Sequence, residues 1–381
     1  MTMISGFTLK GGGFLEADIL LTSPDTWARS WPVPSIPGGD DSSTLENHIV
    51  AGLCQKILVV NDHFAVAFAG DVPAIQEVVR LIDRLVDQSP VLTSKRFSDA
   101  VLADQTINIA DINIIVLTVE DGEVLISNVC ADYGHENDHF DQLIGGSGGY
   151  SAVEHFQDYP PHAFDVLEED IVAHGACMAL HHFSGHLNSE LSKRFQSESI
   201  VNLYGGGYEV VAYYDGRFQK ISNIVYVFAD AEYDADGKIQ VDFPKHLIKS
   251  AYDGDNLKIR SVELQCDEDS DEHFARNDCT FTIAPVSRYH ETNVEKDLDD
   301  LKFKGEFLCF LVNVKRWGGV FTIPFIKKYE SELHFLCKAF VASVDVESVQ
   351  IIYSSIFEEE FSSHVMKYMK QLESAAKEYQ N

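Results

Sequence analysis

The sequence predicts a mixed α+β protein: a four-layer αββα arrangement of two antiparallel sheets with helices outside, followed by a C-terminal α/β extension. Three observations predict it. Short apolar strands come in pairs joined by tight turns, and two of the pairs carry strong hairpin signals, Asp121-Gly122 and Asp215-Gly216. Amphipathic helical stretches separate the pairs, so sheets and helices must cover one another in layers. After residue 240 the strand–helix alternation gives way to an acidic, less regular region.

Residues 3–9 and 14–20 read as the first two strands, with Lys10-Gly11-Gly12-Gly13 as the turn. Residues 22–53 are rich in Pro, Gly, Ser and Asp and read as a long loop, a kind that is usually functional or mobile. Strands 56–60 and 64–69 follow. Asp71 then caps a helix with Pro73 in its first turn and Ile75, Val78, Val79, Ile82, Leu85 and Val86 at helical spacing. Strands 112–119 and 123–129 flank Asp121-Gly122. Residues 164–196 read as helical, and strands 208–214 and 217–229 flank Asp215-Gly216. In the C-terminal part, 306–313 and 319–325 read as strands, and the final helix has Phe361, Val365, Met369 and Leu372 on one face. The expected organisation is a domain over 1–235 and an accessory domain over 245–381.

Composition narrows the function classes. With 45% hydrophobic and 11% aromatic residues the chain has material for packed cores, and 381 residues suit two of them. The formal charge of −31 opposes a phosphate backbone or an anionic bilayer, so neither a nucleic-acid nor a membrane partner is expected. The seven cysteines are scattered, without a CxxC, and read as reduced thiols. No basic-then-apolar leader opens the sequence, and a membrane span needs roughly 18 consecutive apolar residues, a run that does not occur. A cytoplasmic location is expected.

The chemistry is concentrated near the start. An amide hydrolase needs a nucleophile, a base, a group that tunes the base and an oxyanion site. A threonine at the N-terminus supplies a hydroxyl to attack and an α-amine to take its proton, and that amine titrates ordinarily at about 8. Thr2 becomes such a residue if Met1 is removed. Asp18 ends the second strand, Lys56 opens the third and Gly70 ends the fourth. A lysine cation beside the amine keeps it neutral, and a carboxylate holds the lysine.

On these residues the chain resembles proteasome β-subunits and the related bacterial ATP-dependent peptidase. TMISGFTLKGGGFLEADILLTS is similar to their opening, with Thr2 and Asp18 on the nucleophile and its acidic partner. KILVVNDHFAVAFAGD is similar to the next two strands, with Lys56 on the catalytic lysine and Gly70 on the oxyanion glycine. INIIVLTVEDGEVLISNV and FDQLIGGSGGYSAVEHF are similar to the later hairpin and the Gly-Ser-Gly strand end, with Ser147 on the serine that orients the amine. The resemblance covers residues 2–230. It implies the N-terminal-nucleophile hydrolase sandwich, threonine-peptidase chemistry without metal or organic cofactor, peptide or protein substrates, a homo-oligomer and an unfoldase partner. It also implies that Phe68 lines the first specificity pocket.

Three features depart from that pattern. The 22–53 loop is longer than the family's and lies where substrate would enter. Asn202 stands where the family has Asp, and Gly205 where it has Ser. These departures support a second expectation, an inactive proteasome-like subunit serving assembly or interaction; a small-molecule amidase of the same superfamily is the third. Other motifs are set aside. His135-Glu136-Asn137-Asp138-His139 spells a zinc-hydrolase motif but falls in a loop, not a helix. His181, His182 and His186 share a helix face, as packing histidines commonly do. Asp234–Gly237 and Asp267–Glu272 imitate calcium loops without the required residues. No metal is expected.

Overall fold

In a computed structural model the protein is described over residues 2–25, 31–36, 38, 48–137, 140–157, 159, 161–234, 239–266, 272–289, 292–296, 301–345 and 347–378. It forms two compact units. The first comprises Met1–Ile221 with Asp253–Leu257 and Thr282–Asn293; the second comprises Ser222–Tyr252, Lys258–Phe281 and Val294–Asn381.

The first unit opens with the hairpin β1 (Ile4–Leu9) and β2 (Gly12–Asp18). These are the central strands of a six-stranded antiparallel sheet. Its other members are β9 (Asp132–Asn137), β10 (Phe140–Gly145), β11 (Tyr208–Tyr214) and β12 (Arg217–Lys220), in the order β12-β11-β2-β1-β10-β9. A four-stranded antiparallel sheet runs β5-β6-β7-β8, from β5 (Ile57–Asn61), β6 (Phe64–Gly70), β7 (Ile112–Glu120) and β8 (Glu123–Val129). Ile4, Leu15 and Ala17 share a core with Ala65, Ala67, Ile115 and Leu117, so the two sheets pack face to face.

Helices cover the outer faces. Helix α1 (Val72–Gln88) is capped as predicted, Asp71 accepting from the Ala74 N–H at 3.2 Å, a contact worth about 1 kcal/mol. Its Ile75, Val78, Val79, Ile82 and Leu85 are buried with Phe64, Val66 and Phe68 of β6 and with Phe97 of α2 (Ser94–Ala103). Helices α3 (Gly149–Gln157) and α4 (Ile171–Lys193) lie against the six-stranded sheet.

All seven residues of β2 are therefore buried, including Glu16 and Asp18. Leu15 and Ala17 face the other sheet. Phe14 meets α4 at Gly175, and Glu16 meets it at His182.

Several expectations are refined. The 22–53 stretch is not all loop: β3 (Leu20–Ser23) and β4 (Ile49–Leu53) pair as a ribbon, because their apolar residues pack inward. Val33 and Ile36 are buried, and Ser35 N–H donates to Gly206 O at 3.3 Å; residues 26–30, 37 and 39–47 lie outside the described ones. The predicted strand 217–229 is two strands in different sheets. The break comes at Asn223, whose φ of 58° is a left-handed conformation that asparagine tolerates. The His135–His139 motif begins in strand β9 instead of a loop; Asp138 and His139 lie outside the described residues, as do 235–238 and 267–271 of the calcium-like stretches.

The second unit is built on a sheet ordered β18-β17-β16-β15-β13-β19-β20, with β14 (Ile239–Val241) paired to β13. Its strands are β13 (Ile224–Tyr233), β15 (His246–Asp253), β16 (Asn256–Cys266), β17 (His273–Ile283), β18 (Asn293–Lys296), β19 (Phe307–Arg316) and β20 (Gly319–Lys328). A helix α5 (Glu198–Val201) precedes it in the first unit. Helix α6 (Glu332–Lys338), the hairpin β21 (Phe340–Val344) and β22 (Val349–Tyr353), and α7 (Ser355–Glu378) complete the chain. Phe361, Val365 and Met369 of α7 are buried in the core with Phe310 and Phe325, as their spacing predicts.

Candidate active site

The chain brings Thr2, Asp18 and Lys56 together, although they are far apart in sequence. Thr2 precedes β1, Asp18 ends β2, and Lys56 immediately precedes β5. All three are buried: Thr2 is 3% exposed, Asp18 0% and Lys56 4%.

Lys56 Nζ donates to Thr2 Oγ1, to Asp18 Oδ1 at 2.7 Å and to Leu20 O at 2.8 Å. Its three hydrogens are thus used. Asp18 is equally saturated. Oδ1 also accepts from the Met3 N–H at 2.8 Å, and Oδ2 accepts from the N–H groups of Leu20 at 3.0 Å and Gly205 at 2.9 Å. A buried ion pair survives desolvation only with this kind of complete hydrogen bonding. The result is a fixed Asp18–Lys56–Thr2 line, with the lysine aimed at the threonine hydroxyl.

The other predicted site residues divide. Gly70 lines the same cavity as Thr2 and Lys56. Its φ is +121°, and a Cβ there would lie 2.0 Å from Asp111 O, so only glycine fits. Ser147 lies beside Thr2, its Oγ donating to Asn202 O at 2.7 Å and lying 3.5 Å from Thr2 O, while Gly148 N–H donates to Thr2 O at 3.1 Å. Asn202 enters this network through its backbone carbonyl; the residue is exposed. Gly205 supplies a backbone N–H to Asp18 Oδ2.

The cavity has a volume of about 670 Å³. Thr2, Thr22, Lys56, Gly70, Asp71 and Asp111 form its polar part. Leu21, Cys54, Phe68, Ile75 and Val286 give it apolar walls. Burial pushes the Cys54 thiol up to about 12, so it is a neutral wall residue and not a second nucleophile.

A further ring of residues escaped the sequence reading. Glu209 Oε1 accepts from the backbone N–H of Lys56 and, at 2.9 Å, of Ile57. Its Oε2 accepts from Lys220 Nζ at 2.7 Å. Lys220 also donates to Gln55 Oε1 at 2.6 Å. These contacts fix the backbone that carries Lys56. The available signal was an acid inside the apolar strand YEVVAYY, where an unpaired carboxylate would be costly. Val286 and Tyr289, both at the cavity, gave no signal.

A second polar cluster lies between β2 and α4. Glu16 Oε2 is 3.4 Å from His182 Nδ1, yet neither carboxyl oxygen nor that nitrogen has a hydrogen-bond partner. The distance suits an ion pair, but burial opposes charging either group. Desolvation pushes Glu16 up to about 8 and His182 down to about 3, leaving both neutral near pH 7. His182 Nε2 is 3.0 Å from His186 Nε2. Among the described residues no group of three or more His, Cys, Asp or Glu is placed to hold a metal ion, and no helix is long and apolar enough to cross a membrane. Compared with known families the chain matches no family model, and the comparison with curated proteins gives no match.

Proposed function

We propose that the chain is an N-terminal-nucleophile hydrolase with the αββα sandwich of that class, acting as a threonine-type peptidase through Thr2. The observation that carries the reading is the buried Asp18–Lys56–Thr2 line opening onto a cavity beside Gly70. Removal of Met1 frees the α-amine. Thr2 Oγ then adds to the carbonyl carbon of a peptide bond while its proton passes to that amine. The oxyanion is held by the Gly70 N–H. The C–N bond breaks, the amine's proton goes to the leaving nitrogen, and an ester remains on Thr2. Water adds to the ester by the same route and releases the acid, restoring the hydroxyl. Lys56 favours the neutral amine electrostatically, and Asp18 holds Lys56. A homo-oligomer, an unfoldase partner and a cytoplasmic location belong to the same reading, the last in keeping with scattered cysteines that form no CxxC.

A second reading, an inactive subunit serving assembly, is favoured by two specific features. Asn202 offers the Ser147 side a backbone carbonyl in place of a carboxylate, and Gly205 has no hydroxyl. Hydrolysis of fluorogenic peptide amides separates the two. The peptidase reading expects turnover that Thr2→Ala abolishes and Lys56→Met lowers by about 10²-fold or more. No turnover in protein that has lost Met1 leaves the assembly reading, and turnover that survives Thr2→Ala removes Thr2 as the nucleophile.

A further inference from the structure

The residues just before Lys56 are gripped by a strap drawn from much later in the chain. Gln55 is fully buried. Its backbone N–H donates to Ala284 O at 3.0 Å, and its Nε2 donates to Ile283 O at 2.7 Å and to Asp255 O at 2.8 Å. Two positions earlier, Thr292 Oγ1 accepts from the Leu53 N–H at 3.3 Å and donates to Leu53 O at 3.1 Å, a contact spanning 239 positions of sequence. Tyr289 Oη lies 3.2 Å from where a Cβ on Gly52 would stand, so a glycine leaves the phenol its place.

The strap does more than brace. Val286, in its short turn, is 4% exposed and belongs to the same core as Cys54, Phe68 and Ile75. Both Val286 and Tyr289 line the cavity that holds Thr2, Lys56 and Gly70. The cavity wall made by residues of the first seventy-five positions is thus completed by Asp111, Val286 and Tyr289.

We propose that Val286 and Tyr289 are specificity-determining residues. They close the apolar side of the cleft and set the largest side chain accepted next to the scissile carbonyl. The ligand class is a peptide with an apolar residue on the acyl side of the cleaved bond. Leu21, Cys54, Phe68, Ile75 and Val286 offer that side chain contact without a hydrogen-bond requirement, and the aromatic ring of Tyr289 bounds it. This inference rests on the peptidase reading for its substrate, but the wall itself is a statement about binding.

The experiment uses the full chain and blocked tripeptide aminocoumarin amides ending in Ala, Leu, Phe or Trp. Val286→Ala and Tyr289→Ala are compared with wild type. The ratio of kcat/KM for Trp over Leu rises by about tenfold or more in each variant, because both truncations open space in an apolar pocket. Tyr289→Ala, at a partly exposed position, guards against loss of folding in Val286→Ala. If all four substrates change by one common factor, the strap acts only by holding Gln55 and Lys56, and the proposal is overturned. Binding of the same peptides as plain amides to the Thr2→Ala protein is measured by calorimetry in parallel. Should wild type hydrolyse nothing, the peptidase reading fails alone. The wall then stands if the Trp-over-Leu binding preference shifts in the two variants, and falls if binding is absent or unaltered.

Discussion

The backbone N–H of Gly205 donates to Asp18 Oδ2 at 2.9 Å, and a Cβ on residue 205 would lie 2.4 Å from Glu190 Oε1. Glu190 cannot easily yield, because it also accepts from Ser199 Oγ at 2.7 Å, Tyr208 Oη at 2.8 Å and Gly206 N–H at 3.0 Å. With φ at +116° the position is strained for any side chain. Restoring a hydroxyl by Gly205→Ser is therefore expected to lower stability by about 1–3 kcal/mol and to reduce activity instead of raising it. Urea denaturation and peptide turnover check this; a stable variant with higher turnover contradicts it.

Asp18→Asn is not a conservative change. Both carboxylate oxygens receive only donors, from Met3, Lys56, Leu20 and Gly205. An amide NH₂ must face two of them and leaves the Lys56 charge buried without its counter-ion. A loss of about 3–5 kcal/mol is expected, with activity gone. Measuring both Asp18→Asn and Lys56→Met tests the pair: the double variant should lose less than the sum of the two.

Glu209 is expected to act by position. Glu209→Ala frees the N–H groups of Lys56 and Ile57 and removes the carboxylate that Lys220 donates to. Turnover should fall through kcat with little change in KM, because the cavity walls are untouched. Glu209→Gln keeps one acceptor oxygen and should recover part of the loss. An equal fall in both variants, or a change confined to KM, would count against this role.

Stability should depend on pH through Glu16. Its carboxyl titrates near 8 when folded, against 4.5 as the ordinary value. Between those values the unfolded chain has released a proton that the folded chain keeps, so this group's contribution falls as pH rises from 4.5 to 8. Glu16→Gln removes the effect, and its advantage over wild type should grow by about 1.4 kcal/mol per pH unit across that window. His181 and His182, held down to about 4 and 3, give the opposite slope below pH 6.5, the ordinary histidine value. That slope is common to both proteins. Denaturant midpoints at pH 5, 6.5 and 8 decide it; a difference that stays flat with pH means Glu16 is charged when folded.

Local rules carried the first unit a long way. The Asp71 cap, the Asp121-Gly122 turn and the period of Ile75 to Leu85 each act within a few residues, so they are visible before folding. The Lys56–Asp18 contact was legible only through the pattern around both residues. The grip of Glu209 on Lys56, and that of Ile283 and Ala284 on Gln55, depend on strand order and leave no local trace. The long strands β15, β16 and β17 were missed for a related reason. Polar and charged residues such as Lys249, Arg260 and Asp278 interrupt their apolar pattern, and their burial makes sense only as pairs, as in the Arg260–Asp278 bridge at 2.6 Å.

The central claim is that Thr2, with its own amine, is the nucleophile. Intact mass of the purified protein before and after treatment with a peptide epoxyketone tests it most directly, since that reagent needs both the hydroxyl and a free α-amine to form its ring. The account predicts a mass lacking Met1 and the gain of one adduct, absent in Thr2→Ala. Retention of Met1 with no adduct would contradict it, because the base would then be locked in a peptide bond.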